Sequence, residues 1–179
     1  MTTETTETTA QDPTQHLDLA PSGTPHLRTV TARAKNPALV VPGGVKALAE
    51  LGKLAHGQGV PAATLELVHL RVSQINGCGW CIEYGMRQAR KAGESEDRLA
   101  SVAAWRESPY ISEAECAAIE LAEAMTRLAD SSEGVPDAVW DRAAEHWDEQ
   151  ALAALVLHIG VTNLYNRLNV TTRQIPGTW

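Results

Sequence analysis

Phenylalanine is absent from this 179-residue chain, and five Trp and three Tyr are its whole aromatic complement. The bulk that Phe usually lends a core must come from those rings, while Ala, Leu and Val fill the rest and favour close helix packing over a β-sandwich. Cysteine is scarce: three residues, an odd number, argue against a disulfide scaffold. Long apolar runs are missing as well. The longest, Ala151–Leu157, falls far short of the roughly 20 residues of a bilayer-spanning helix, so no membrane partner is expected. Nor is there an excess of positive charge. With 22 acidic against 15 basic side chains and a net charge of −7, the chain is a poor match for nucleic acid. Its opening, MTTETTETTA, is acidic and Thr-rich where a secretory signal would be basic and then apolar, which points to a cytoplasmic protein.

What is present suits one globular domain: 44% of residues are hydrophobic and 21% charged. Residues 1–26, with six Thr in the first nine positions and then Pro13, Pro21, Gly23 and Pro25, hold too little apolar surface to offset ordering entropy and are expected to form a flexible tail. Residues 27–179 form the domain. From Asn36 onward, Ala- and Leu-rich blocks are punctuated by Gly and Pro with hardly any β-branched alternation, so the fold class is all-α.

Helix signals are local and frequent. A first helix spans Gly43 to about His56 and stops at Gly57 and Gly59. Pro61 opens a second, whose Leu65, Val68, Val72 and Ile75 form one stripe and which Asn76-Gly77 ends. A third begins at or just before Cys78 and runs to Ala92, and Ser95 caps a fourth through Trp105. Ser112 with Glu115 is a capping-box pattern, followed by a stripe of Ala114, Ala118, Leu121, Met125 and Leu128. Pro136 starts a short helix, and Asp148 caps the last and most apolar one, Ala151 to about Asn169, before a Pro-Gly tail.

Cys78 and Cys81 form a CxxC at a helix start. That spacing sets the sulfurs one turn apart, close enough to join, and the unpaired amides and helix dipole favour a thiolate, more so at Cys78. A thiolate turns a peroxide into an alcohol and becomes a sulfenic acid, which a neighbouring thiol converts to a disulfide. Two other uses stay open. One is half of a zinc site, which needs two further Cys or His at short spacing, whereas Cys116 is isolated on an Ala-rich face. The other is a pair of inert buried thiols. No Gly-rich phosphate loop, paired-His metal motif or nucleophilic Ser elbow occurs, so no cofactor or metal is expected.

The segment ELVHLRVSQINGCGWCIEYG, Glu66 to Gly85, resembles the carboxymuconolactone decarboxylase and alkylhydroperoxidase D (AhpD)-like superfamily, as does YNRLNV near the end. The pattern pairs a Glu twelve residues before the first Cys with a CxxC that opens a helix, and the likeness runs from about Ala32 to the C-terminus. It implies an AhpD-like helical bundle with the CxxC at the start of a central helix. It also implies thiol peroxidase activity in the AhpD branch and assembly into trimers or hexamers. Carried over by position, Glu66 is the proton-relay carboxylate, Cys78 the resolving cysteine and Cys81 the one that attacks peroxide. The dipole argument prefers Cys78 for attack; the resemblance prefers Cys81, and nearby bases can outweigh a dipole.

One departure stands out. Peroxidase members place a His four residues after the second Cys, where this chain has Gly85, and AhpD has another inside its CxxC, where this chain has Trp80. A weak peroxidase is therefore expected, one that a Gly85→His replacement should speed up. His69, three residues after Glu66, is the nearest substitute, although a solvated surface His is the default reading. His158 reads as a satisfied core His, Glu83 as solvent-facing, and Trp80 as a pocket wall or an oligomer contact. Asn166, Arg167 and Asn169 read as structural.

Three functions follow: a hydroperoxide reductase recycled by a dithiol partner, a lactone-acid decarboxylase or isomerase as in the other branch, and a non-catalytic oligomeric redox sensor.

Overall fold

The structure, a computed structural model, describes residues 28–178; the expected tail lies outside them. Among the described residues there are eight α-helices and no strands. They are α1 (Pro37–Val40), α2 (Gly44–Lys53), α3 (Ala62–Ile75), α4 (Gly79–Lys91), α5 (Glu96–Ser101), α6 (Glu113–Thr126), α7 (Asp137–His146) and α8 (Glu149–Thr172).

Local chemistry sets most boundaries. Ser95, Ser112 and Asp148 each accept a backbone N–H three residues on, and Ser112 and Glu115 complete the expected capping box. The expected fourth helix is shorter than its pattern. It ends at Ser101 and gives way to a 3-10 segment, Val102–Glu107, kinked at Ala104 (φ −121°). Leu128 also departs from expectation, because α6 stops at Thr126 and leaves that side chain exposed in a separate turn.

α3 is the central element. Leu65, Val68 and Val72 pack with α6, α7 and α8 in one cluster, while Leu67 and Leu70 pack with α4, α5 and α6 in another. Its expected single stripe is therefore a helix buried on several sides. The polar residues this enfolds are satisfied: Thr64 donates to Glu115, and Ser73 accepts from the fully buried Asn166 of α8. Burial pushes the Glu115 carboxyl up, but its Arg98 ion pair and the Ser112 backbone and hydroxyl outweigh this and hold it below the usual range. Ala117, Ala118, Ala122, Ala151 and Ala154 line the buried seams, so small side chains and close backbones take the place of Phe.

The turn between α3 and α4 places the sulfur pair. Gly77 adopts φ +64°, its N–H donates to Gln74 and that of Cys78 to Ser73, which is a Schellman closure of α3. Cys78 then serves at once as the N-cap of α4.

Asn166→Ala should remove about 1–3 kcal/mol of stability, since it takes the donor from the buried Ser73 hydroxyl and leaves the Asn76 amide with Asn163 as its one remaining acceptor across the α3–α8 seam. Lys46→Ala, at an exposed i,i+4 pair with Glu50, should change it by less than about 0.5 kcal/mol. Urea unfolding of the two variants checks the contrast.

Candidate active site

Cys78 and Cys81 are joined in a disulfide, with Cα atoms 5.3 Å apart. Both are buried, at 1% exposure, yet they face different surroundings. Cys78 Sγ accepts the backbone N–H of Cys81 at 3.3 Å, the N-cap bond of α4. Cys81 opens onto a cavity of about 520 Å³.

Residues of five helices line that cavity, with Ala38 and Leu39 coming from α1. Glu66 and His69 come from α3, Cys81 and Tyr84 from α4, and His158, Thr162, Tyr165 and Asn169 from α8, while Val45, Leu48, Ala49 and Gly52 of α2 form an apolar wall. Trp80 is a wall residue as well, stacked on Tyr84 with ring centroids 5.5 Å apart and planes 8° from parallel. No Lys or Arg among the described residues lines the cavity.

His69 is not a solvated surface residue. Its Nε2 lies 3.1 Å from the backbone carbonyl of Cys81. A carbonyl only accepts, so Nε2 carries the proton and Nδ1 keeps its lone pair. The ring lies where a side chain on residue 85 would begin: a Cβ on Gly85 would meet His69 Cδ2 at 2.8 Å and Leu70 Cδ2 at 2.9 Å. The missing side chain of α4 is thus replaced in space by an imidazole from α3. The expected benefit of Gly85→His is overturned, since no room exists for a second imidazole there.

Burial shifts the proton affinities of the cavity groups. It pushes the Glu66 carboxyl above its ordinary range and holds the His69 imidazole below its own, with the Cys81 carbonyl opposing the latter. His158 is lowered to about 4 by burial and by the nearby charges His69 and His56 would carry, against the bond from its Nε2 to the Leu65 carbonyl, 2.9 Å away. It is both the satisfied core His expected and a cavity residue.

Two contacts had no signal in the sequence. Asn169 donates from Nδ2 to Cys81 Sγ at 3.3 Å, across 88 residues. The Pro-Gly tail folds back as a turn over the start of α4: Thr178 donates to the Ile175 carbonyl, Trp80 Nε1 donates to the Thr178 carbonyl at 3.0 Å, and Pro176 lies against Gly79. Asn166 is structural, as expected, and Arg167 donates to Asn163. Glu83 is half-exposed and pairs with Arg87. Cys116 is buried in the second core cluster, where burial raises its thiol.

The family model for carboxymuconolactone decarboxylases matches residues 42–124. The uncharacterized protein YdfG of Bacillus subtilis is 38% identical over 131 residues, covering 73% of this chain and 88% of that protein. The chain belongs to the carboxymuconolactone decarboxylase family. A solved structure of the Agrobacterium tumefaciens protein ATU0492, of unknown function and likened to the antioxidant defence protein AhpD, superposes with a TM-score of 0.76 at 29% identity, over 83% of this chain and all of that one. The debrominase Bmp8 shares the fold, with a TM-score of 0.67 at 18% identity over 79% of this chain and 75% of its own. This family member thus has the AhpD-like all-α fold, with the CxxC opening α4.

The His158 shift has a consequence for stability. Its folded value, about 4, lies below the ordinary 6.5, so between those limits the unfolded chain binds more protons and stability is lost as pH falls. This group alone should cost on the order of 3 kcal/mol on going from pH 7 to pH 4. His158→Leu should flatten that part of the acid loss, as read by urea unfolding at the two pH values.

Proposed function

We propose that the protein is a thiol-dependent oxidoreductase that reduces hydroperoxides through Cys78 and Cys81. The reading rests on one observation above others: Cys81, bonded to Cys78, is the cysteine that lines the cavity, and the His69 imidazole lines the same cavity with its Nε2 on the Cys81 backbone carbonyl. A substrate entering the cavity meets Cys81 first, which supports Cys81 as the attacking sulfur and Cys78 as the resolving one.

In the reduced enzyme the Cys81 thiolate attacks the outer peroxide oxygen, the O–O bond breaks, and the alcohol leaves with a proton. Cys81 becomes a sulfenic acid. The Cys78 thiol then forms the S–S bond at that sulfur and water departs. A dithiol partner reopens the pair by two exchanges and leaves as its own disulfide. His69, neutral because it is buried, takes the thiol proton at Nδ1. Glu66, whose carboxyl is raised, is suited to hold a proton and pass it on.

The lactone-acid reading is less well supported. A carboxylate substrate calls for a cation, and no Lys or Arg among the described residues lines the cavity. We also infer a homo-oligomer, because α1 and α2 bury no residue fully and expose Leu39, Val40, Val41, Val45 and Leu54; the family resemblance implies a trimer or hexamer. Light scattering at micromolar concentration should give a mass well above the 19.3 kDa monomer.

The test of function is peroxide consumption at saturating dithiol. Cys81→Ser should abolish it, and His69→Gln should lower kcat by about 10²–10⁴-fold, the usual worth of a general base. Gly85→Ala gains about 1 kcal/mol of helix propensity but must displace His69, and so should also slow turnover. Peroxide-dependent loss of two thiols without turnover would instead establish the redox sensor, and no thiol loss would refute both.

A further inference from the structure

The contact at the Cys81 sulfur reaches beyond the redox pair. Asn169 Nδ2 lies 3.3 Å from Cys81 Sγ, and Asn169 is 4% exposed. An amide side chain can point either end at a neighbour, so what fixes it matters. Here Asn36 Nδ2 donates to Asn169 Oδ1 at 2.7 Å, while Asn36 Oδ1 accepts the Ala38 N–H as the N-cap of α1. The α1 cap orients the Asn36 amide, the Asn36 amide orients that of Asn169, and an N–H is left aimed at sulfur.

We propose that Asn169 is a catalytic residue that holds the Cys81 thiolate through its side-chain N–H, with Asn36 as the positioning residue that aims it. The inference rests on the reading of Cys81 as the reacting sulfur. A disulfide sulfur is a weak acceptor and a thiolate a strong one, so the bond gains most in the reduced, attacking state. The surroundings make such a donor necessary. Among the described residues, the ionisable groups that share the cavity wall with Cys81 are His56, Glu66, His69, Tyr84, His158 and Tyr165, and none of these is a permanent cation. At rest His69 commits its one N–H to the Cys81 carbonyl, so until it takes the thiol proton it offers the sulfur no donor.

The experiment measures alkylation of Cys81 in the reduced protein as a function of pH, in a Cys78→Ser background with peptide mapping to separate Cys116. Asn169→Leu removes the donor without adding charge and should raise the midpoint by about one pH unit, a tenfold fall in thiolate at lower pH. Asn169→Asp keeps the shape and the bond from Asn36 but turns the donor into an anion, and should raise it further. Asn36→Ser keeps a cap for α1 yet cannot reach Asn169, and should raise the midpoint by less. If Asn169→Leu and Asn169→Asp both leave the midpoint unmoved, the role of Asn169 is overturned. If Asn36→Ser lowers only the melting temperature, Asn36 is structural and its positioning role is overturned. Because the titration needs no turnover, these midpoints can shift in a protein that reduces no peroxide. That result would refute the peroxidase reading and still support Asn169 as the thiolate donor.

Discussion

The ring of His69 lies against the bare Cα of Gly85, and this contact sets how closely α3 and α4 approach where the chemistry sits. A glycine inside a helix costs about 1 kcal/mol relative to Ala. That cost is offset by what it admits: an imidazole, the close packing of Leu70, and a hydrogen bond from His69 to the Cys81 carbonyl. The same closeness brings Glu66, one turn earlier on α3, to the cavity wall. The Schellman turn at Gly77 works with it, since it ends α3 and starts α4 within one residue and leaves no slack between the two helices.

Most of the fold was legible because its boundaries are written in local chemistry. The Ser112–Glu115 box, the Asp148 and Ser95 caps and the Gly77 stop are each decided by residues within one turn of each other. The errors arise where tertiary context decides. Leu128 continues the α6 period, but the chain has left the helix at Arg127. α1 spans only four residues and carries no periodic signal, although its Asn36-Pro37 start is a cap followed by a first-turn proline.

Spacing along the chain singles out Cys78 and Cys81, and the family resemblance singles out Glu66; His69 reads as a substitute base with a solvated surface His as the default, while Asn169 and Asn36 carry no signal for the site. A missing side chain says nothing about which neighbour fills its space. Gly85 and His69 meet across two helices, and the Asn36–Asn169 bond spans 133 residues. Asn169 reads as structural and Asn36 only as the start of the helical text; that the two together aim an N–H at sulfur is a property of the packed bundle alone.

Among the described residues no Lys or Arg lines the cavity, and this gives the wall its character. A guanidinium or ammonium beside Cys81 would enlarge the thiolate fraction, but a thiolate made too stable is a poorer nucleophile, because intrinsic reactivity falls with thiol acidity. Neutral N–H donors stabilise the anion more gently. They also leave the apolar wall from α2 free of a charge that would need solvation, in keeping with the burial that lowers the His69 and His158 imidazoles before any proton is taken up. In such surroundings a proton moves only between groups whose affinities lie near one another. Burial brings Glu66 up and His69 down toward that common range.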